Sequence, residues 1–260
     1  MEESIFKAYE NVVKTIWASG LSKTLAIRLS ENPNPGVISV EKLRHLFNAL
    51  SGEGWKRNHG SNWLWRASVP DYVTGSSKEV EIEREIAKLD PSTWTCQMST
   101  SSGVQPNGLN RRRAIDLVRD NGNGRFAFVE LKVKSNNPLY AAFEILGYAL
   151  AYLQARSAGW QASAGMEGRN VLKAREIELT VLGPEEWYGF KKRGGERGTF
   201  NFDWLAADIA NSLNGLSQGA PFFTMSFRKY ADGDAQPAQV AADICELATT
   251  KWWQGGVKRK

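Results

Sequence analysis

Three charged residues, Asp116, Glu130 and Lys132, lie inside two apolar runs of the sequence, AIDLV and RFAFVELKVK. The runs are joined by DNGNG, a strong signal for a tight turn between two antiparallel strands. Side chains alternate across a strand, so Glu130 and Lys132 share one face with Phe126 and Phe128. Charged residues on such a face either meet water or take part in chemistry.

The register of this hairpin decides whether the two carboxylates meet. A turn centred near Gly122 places Asp116 opposite Phe128 and diagonal to Glu130, and a shift of two residues places it directly opposite Glu130. In both registers the two Cβ atoms lie about 5–8 Å apart on one face. A slip of one residue would separate them.

Two carboxylates directed at one spot repel each other and raise each other's pKa unless a cation lies between them. Mg²⁺ suits such a place because it prefers oxygen ligands and is commonly held by one or two carboxylates together with substrate phosphate. Lys132 reaches the same face and could hold a water molecule or a phosphate. The three residues therefore fit metal-assisted hydrolysis of a phosphodiester.

The alternative is a hairpin with one solvated face, on which the three charged residues are solubilising or form salt bridges. Phe126 and Phe128 on the same face favour a partly buried surface, where unpaired charges are unfavourable. Residue types alone leave both interpretations open.

The pattern of apolar residues predicts the elements that must position this face. From residue 79 the order is helix, three strands, helix, strand, helix, strand and helix, which predicts an α/β fold, a three-layer sandwich with a central mixed sheet flanked by helices. The predicted strands are TWTCQMST, residues near 112–119 and 125–134, REIELTVLG and PFFTMSF. The predicted helices after the first lie near 138–157, which begins after SNNP, then 203–214 and 236–253.

Residues 1–78 are predicted to form an N-terminal helical region and an irregular connector, and residues 79–260 the α/β domain. Helices are indicated at Ile5–Ile16, Leu21–Leu29 and Val40–Leu50, with Ser39 as an N-cap. The N-terminal region could be a small domain of helix-turn-helix type, but a helical cap packed on the α/β domain is the favoured interpretation.

Composition sets the limits on partners and location. The net charge of +5 and the pI near 9.1 permit a polyanionic partner without requiring one. Two cysteines, Cys96 and Cys245, are too few and too far apart for a disulfide framework or a zinc site. No signal peptide or membrane span is indicated, so a soluble, cytoplasmic protein is expected. With His45 and His59 as its two histidines, the chain also has little material for histidine-based catalysis.

The arrangement resembles the PD-(D/E)-x-K nuclease superfamily, which includes many restriction endonucleases and archaeal Holliday-junction resolvases. The matching residues are Asp116 and, after 13 intervening residues, Glu130-Leu131-Lys132, on consecutive strands followed by a helix. The resemblance covers about residues 79–182 and implies a restriction endonuclease-like core. The proline of the family's name is absent, since Ile115 precedes the aspartate.

The resemblance implies roles for these residues. Asp116, Glu130 and the Leu131 carbonyl would bind Mg²⁺, with Mn²⁺ as a substitute, and Lys132 would serve the attacking water. A glutamate in the preceding helix often assists, which nominates Glu83, with Glu79 one turn earlier as its rival. A polar residue on the following helix is also common, and Glu144 or Gln154 could fill that position.

The expected function is therefore that of a Mg²⁺-dependent nuclease, with an endonuclease favoured over an exonuclease and DNA over RNA. Two basic segments could bind phosphates: RRR at the start of the Asp116 strand, and KKRGGER, which is expected to be a flexible loop. Their residues are Arg111, Arg112, Arg113, Lys191, Lys192 and Arg193. Homodimerisation is common in such nucleases because two sites are needed to cut two strands. The alternative from another class is a catalytically inactive nucleic-acid-binding or protein-interaction module on the same fold.

Overall fold

A computed structural model describes residues 21–50, 62–66, 69, 76–101, 113–159, 168, 170–192, 194–231 and 234–250. Its helices are α1 Lys23–Glu31, α2 Val40–Leu50, α3 Lys78–Leu89, α4 Pro138–Ser157, α5 Asp203–Ser217 and α6 Pro237–Thr250. Its strands are β1 Trp94–Ser101, β2 Arg113–Asp120, β3 Arg125–Leu131, β4 Glu176–Pro184, β5 Gly189–Lys191, β6 Arg197–Thr199 and β7 Phe222–Tyr230. Short 3₁₀ turns occupy Asn170–Lys173 and Glu185–Tyr188.

Five of these strands form one mixed sheet in the order β1-β2-β3-β4-β7. The first three strands are antiparallel neighbours, whereas β3, β4 and β7 run parallel. Parallel neighbours need crossover connections, which α4 and α5 supply. The predicted order of the helices and of these five strands from residue 79 onward and the mixed pairing are confirmed, whereas β5 and β6 were not predicted.

Helices cover both faces of this sheet because alternate strand residues are apolar on both sides. On β3, Phe126 and Phe128 belong to one buried cluster, whereas Ala127, Val129 and Leu131 belong to another. The first cluster, which we call the α4 core, lies between the sheet and α1, α2, α4 and α5. The second, the α3–α6 core, lies between the sheet and the two helices of its name. The molecule is thus an α/β protein compatible with a three-layer sandwich.

The helices that flank the site begin at the capping residues that the sequence provides. The side chain of Asn137 accepts a hydrogen bond from Tyr140 N, and Pro138 occupies the first turn of α4 as predicted. Ser77 caps α3 in the same way through Val80 N. The predicted N-cap at Ser39 is confirmed, since its Oγ accepts from Lys42 N at 3.3 Å.

The N-terminal helices α1 and α2 share the α4 core with the α/β domain. Leu25, Leu43 and Leu46 are fully buried there beside residues of α4 and α5. The helix predicted at Ile5–Ile16 lies outside the described residues. The division of the chain at residue 78 stays a prediction.

Two details differ from the sequence prediction. β3 ends at Leu131 and not near residue 134, although Lys132 N still donates to Leu182 O at 2.8 Å. KKRGGER is not a plain loop, because β5 and β6 pair as a small hairpin around it and Lys192 N donates to Glu196 O at 2.8 Å. The alternation of Phe190 inward with Lys191 outward explains why this short basic segment forms a strand. Among the described residues, no helix combines the length and the apolar character needed to cross a membrane.

Candidate active site at a fork in the sheet

The site lies where β2 and β3 separate. The antiparallel pairing of the two strands ends at Leu117 opposite Val129, and its continuation by one residue aligns Asp116 with Glu130. Beyond this point Asp116 Oδ2 accepts a hydrogen bond from Leu131 N at 2.9 Å. A side-chain oxygen therefore takes the place of a backbone carbonyl in the next hydrogen bond between the strands. The register with Asp116 opposite Phe128 is wrong, since Phe128 pairs with Val118, and the register that aligns the two carboxylates is confirmed.

The pleat of β1 and β2 changes at this same level. Cys96 and Leu117 belong to the α3–α6 core, but Met98 and Ile115, two residues away on the same strands, belong to the α4 core. Because residues two apart normally share a face, both strands rotate at the residue between. That residue is Gln97 on β1, with φ +52°, and Asp116 on β2.

Glu130 is buried with one oxygen paired and the other free of hydrogen bonds. The residue is 2% exposed, and its Oε1 lies 2.6 Å from Lys132 Nζ. Its Oε2 has no hydrogen-bond partner among the described residues. Burial first, and then the neighbouring Asp116, hold the pKa of Glu130 well above its usual range. Burial and the charge of Glu83 raise the pKa of Asp116 in the same way.

Lys132 is the cation at the centre of the site. It is 7% exposed, and its Nζ lies 3.0 Å from Glu144 Oε2 on α4 as well as contacting Glu130. The contact with Glu144 is an ion pair without hydrogen-bond alignment, since that oxygen has no hydrogen bond among the described residues. Burial lowers the pKa of Lys132, but the surrounding carboxylates outweigh it, so the pKa lies above its ordinary value. The ammonium form is therefore strongly favoured.

The two glutamates nominated on α3 have different positions. Glu83 is 2% exposed, accepts a hydrogen bond from Gln97 Nε2 and has a pKa raised by burial to about 8. The charges of Glu130 and Lys132 act on it, so it belongs to the site. Glu79 Oε1 instead accepts from Val133 N at 3.0 Å and Ser135 Oγ at 2.7 Å. Glu79 thus holds the turn that follows Lys132.

Helices on opposite faces of the sheet therefore contribute to one site. Glu83 comes from α3, on the side of the α3–α6 core, and Glu144 from α4, on the other side. Glu144 forms an ion pair with Lys132, and the charges of Glu130 and Lys132 act on Glu83. Gln154, the alternative to Glu144, lies ten residues further along α4, about 15 Å away, and is not part of this cluster.

The oxygen atoms at the fork are of the type that a hard divalent cation prefers, but they are too few to complete its coordination. Asp116, Glu130 and the Leu131 carbonyl are oxygen donors at the fork, and Glu130 Oε2 is buried without a hydrogen bond to any described residue, as expected of an oxygen that could bind a metal ion. Within the described part of the chain, no group of three or more His, Cys, Asp or Glu side chains is arranged to hold a metal. A magnesium ion here would thus keep several waters, which is its usual preference.

The predicted phosphate-binding residues are described in part. Lys191 and Lys192 are exposed on the β5–β6 hairpin. Arg113 begins β2, and Arg111, Arg112 and Arg193 lie outside the described residues.

One site residue, Gln97, was not anticipated from the sequence. No pattern in TWTCQMST marks one residue as special, and its position depends on the register of β1 against β2, which no turn signal fixed. A polar side chain in the middle of an otherwise buried strand was the available hint.

Comparisons of the chain with protein-family models, with curated proteins and with solved structures find no match.

Proposed function

We propose that the protein is a metal-dependent nuclease that hydrolyses phosphodiester bonds, with DNA as the favoured substrate and endonucleolytic cleavage favoured. The observation that carries the proposal is the convergence of Asp116, Glu130 and Lys132 at the fork between β2 and β3, where one buried carboxylate oxygen has no hydrogen bond to any described residue. A solvated strand face would not bury Glu130 and Lys132 to this extent. On this proposal the sheet and its helices form a restriction endonuclease-like core.

Each residue has a role that its contacts support. Asp116, Glu130 and the Leu131 carbonyl would hold Mg²⁺ or Mn²⁺, which neutralises charge at the phosphate and acidifies water. Lys132, held between Glu130 and Glu144, donates hydrogen bonds to the attacking water or to a phosphate oxygen. Because its pKa is raised, it acts as a positioned cation and not as a proton acceptor. Glu83 assists from α3.

The carboxylates provide the sharpest test, because neutralising either of them should abolish cleavage while it raises the stability of the metal-free protein. Asp116→Asn and Glu130→Gln keep the hydrogen-bond acceptors but remove a buried charge. We expect each to abolish Mg²⁺-dependent or Mn²⁺-dependent cleavage of DNA, while Tm in a chelator rises by about 2–4 °C for each 1 kcal/mol of repulsion removed. Glu31→Gln, which neutralises an exposed glutamate on α1, is the matched control and should change neither quantity.

The substrates should include plasmid, linear duplex, single-stranded DNA and RNA. Cleavage that survives in both carboxamide variants would show that the site lies elsewhere. No cleavage of any substrate by folded protein that still binds DNA would favour the alternative function, an inactive nucleic-acid-binding module on the same fold.

A further inference from the structure

Gln97 has a backbone conformation that its place in the fold does not require. Its φ is +52°, in the left-handed region that favours glycine. Asn123 lies in the β2–β3 turn, Asn136 precedes α4, and Gln218 ends α5, all places where a positive φ is common. Gln97 instead lies inside β1, between Cys96 and Met98, which both pair with β2.

This conformation has a structural result at the site. It reverses the pleat, so Cys96 and Met98 enter different cores although they are two residues apart. The Gln97 amide then reaches α3 and donates from Nε2 to Glu83 Oε2. The register of β1 on β2, with Cys96 opposite Leu117 and Met98 opposite Ile115, aligns Gln97 with Asp116. Gln97 thus combines an unfavourable backbone conformation with a side-chain hydrogen bond to Glu83 of the candidate site.

We propose that Gln97 is a positioning residue, whose left-handed backbone and amide together hold the Glu83 carboxylate toward Asp116 and Glu130. This inference rests on the proposed nuclease function. A left-handed residue inside a strand persists when its surroundings compensate for it, and such outliers concentrate at functional sites. Here the compensation is a hydrogen bond to a carboxylate that is 2% exposed.

The residue type follows from what the position needs. Glycine would adopt the backbone conformation more easily but has no donor for Glu83. A glutamate would add another carboxylate beside Glu83, Asp116 and Glu130, and a lysine would compete with Lys132 for them. Glutamine is neutral and carries a donor on a side chain that reaches α3.

The test separates the backbone from the side chain with two substitutions. Gln97→Gly relieves the left-handed backbone and removes the amide, whereas Gln97→Ala removes the amide and keeps the strain. We expect Gln97→Gly to have an equal or higher Tm than Gln97→Ala, while both lower kcat and raise the half-saturating Mn²⁺ concentration by about 10-fold or more, as loss of a supporting hydrogen bond does. The KM for DNA should not change, because on this proposal Gln97 acts through Glu83 and not on the substrate.

Gln218→Gly is the matched control. Gln218 has φ +56° and is exposed at the end of α5, so the substitution relieves the same conformation away from the site. We expect it to raise Tm without affecting kcat or the half-saturating Mn²⁺ concentration. Wild-type kcat and Mn²⁺ dependence in both Gln97 variants would overturn the proposal.

A second measurement tests the contact even if the wild-type protein cleaves nothing, which would contradict the proposed function itself. The Tm change caused by Gln97→Ala is measured in a chelator, in the wild-type background and in Glu83→Met, which keeps the volume and removes the acceptor. A smaller change in the Glu83→Met background supports the coupling of Gln97 to Glu83. Equal Tm changes in the two backgrounds would overturn it.

Discussion

At the residue scale, the site concentrates more negative charge than its one lysine neutralises. Glu83, Asp116, Glu130 and Glu144 all influence Lys132 or one another, and three of them have pKa values raised first of all by burial. Buried charges interact strongly because the protein interior screens them less than water does. Ionisation of these buried carboxyl groups therefore lowers the stability of the fold, and carboxyl groups with raised pKa values are frequent at functional sites.

The first residue-scale prediction concerns Lys132. Lys132→Met removes the partner of Glu130 and Glu144 while filling a similar volume. We expect the free energy of unfolding at pH 8 to fall by about 3–5 kcal/mol, because uncompensated buried charges remain. The loss should be smaller at pH 5, where the carboxylates are more readily protonated, and urea unfolding at both pH values measures it.

The double variant Lys132→Met with Glu130→Gln is the control for that mechanism. Lys132→Met leaves the charge of Glu130 without its partner, so removing that charge should restore part of the lost stability. If the double variant were no more stable than Lys132→Met, loss of packing and not of charge pairing would explain the effect.

The second residue-scale prediction follows from the pKa of Glu83, which burial raises from its ordinary value of 4.5 to about 8. A carboxyl with a raised pKa in the folded state favours folding while it is protonated, and this contribution is lost as pH rises through about 8. We expect Glu83→Gln to be more stable than wild type at pH 8.5 in a chelator, by an amount on the order of a few kcal/mol.

The difference should shrink toward pH 4.5, where Glu83 is protonated in the folded state. Urea unfolding across pH 4.5–8.5 provides the test. A stability difference that does not depend on pH would show that Glu83 is not protonated on folding.

At the element scale, the parts of the fold that sequence patterns predicted are those governed by local rules. The run DNGNG required a turn, alternation marked β3, and SNNP with its proline marked the start of α4. Asp116, Glu130 and Lys132 could be identified because consecutive strands of one hairpin bring them together. The contact of Gln97 with Glu83 could not, since it depends on a nonlocal register and on a left-handed residue inside a strand. The ion pair of Glu144 with Lys132 depends likewise on how α4 crosses the sheet.

The edge strand β7 gives the prediction at this scale. Near the start of β7, the side chain of Asn214 on α5 bonds the backbone as a neighbouring strand would. Its Oδ1 accepts from Phe223 N at 2.7 Å, and its Nδ2 donates to Phe223 O at 2.9 Å. Asn214→Ala leaves both backbone groups of Phe223 without these bonds. We expect the free energy of unfolding to fall by about 1–3 kcal/mol.

Asn211→Ala, at an exposed position of the same helix, is the matched control and should change stability little. An edge strand with unpaired backbone groups also invites pairing with another chain. Light scattering should therefore show more self-association for Asn214→Ala than for the control. Equal stability of the two variants would show that the amide contributes no net hydrogen bonding.

At the scale of the whole molecule, the net charge of +5 is modest, so the distribution of charge matters more than its sum. The parallel strands β3, β4 and β7 end on the side where Lys132 lies, and the β5–β6 hairpin follows the end of β4. The exposed Lys191 and Lys192 of that hairpin therefore lie at the same end of the sheet as the site, and we propose that they extend it toward a phosphate backbone. Lys173 precedes β4 and belongs to the opposite end of the sheet.

The double variant Lys191→Ala, Lys192→Ala tests this arrangement by the salt dependence of DNA binding. Each lost phosphate contact should make the slope of log Kobs against log salt shallower by about 0.9, so two contacts give a change of roughly 1–2. The matched double variant Lys88→Ala, Lys173→Ala removes the same charge from exposed positions toward the opposite end of the sheet and should leave the slope near the wild-type value. Binding measured by fluorescence anisotropy across a salt series compares the two. If both variants changed the slope equally, the basic surface would act through net charge alone, and the hairpin would have no particular part in holding the backbone of the nucleic acid.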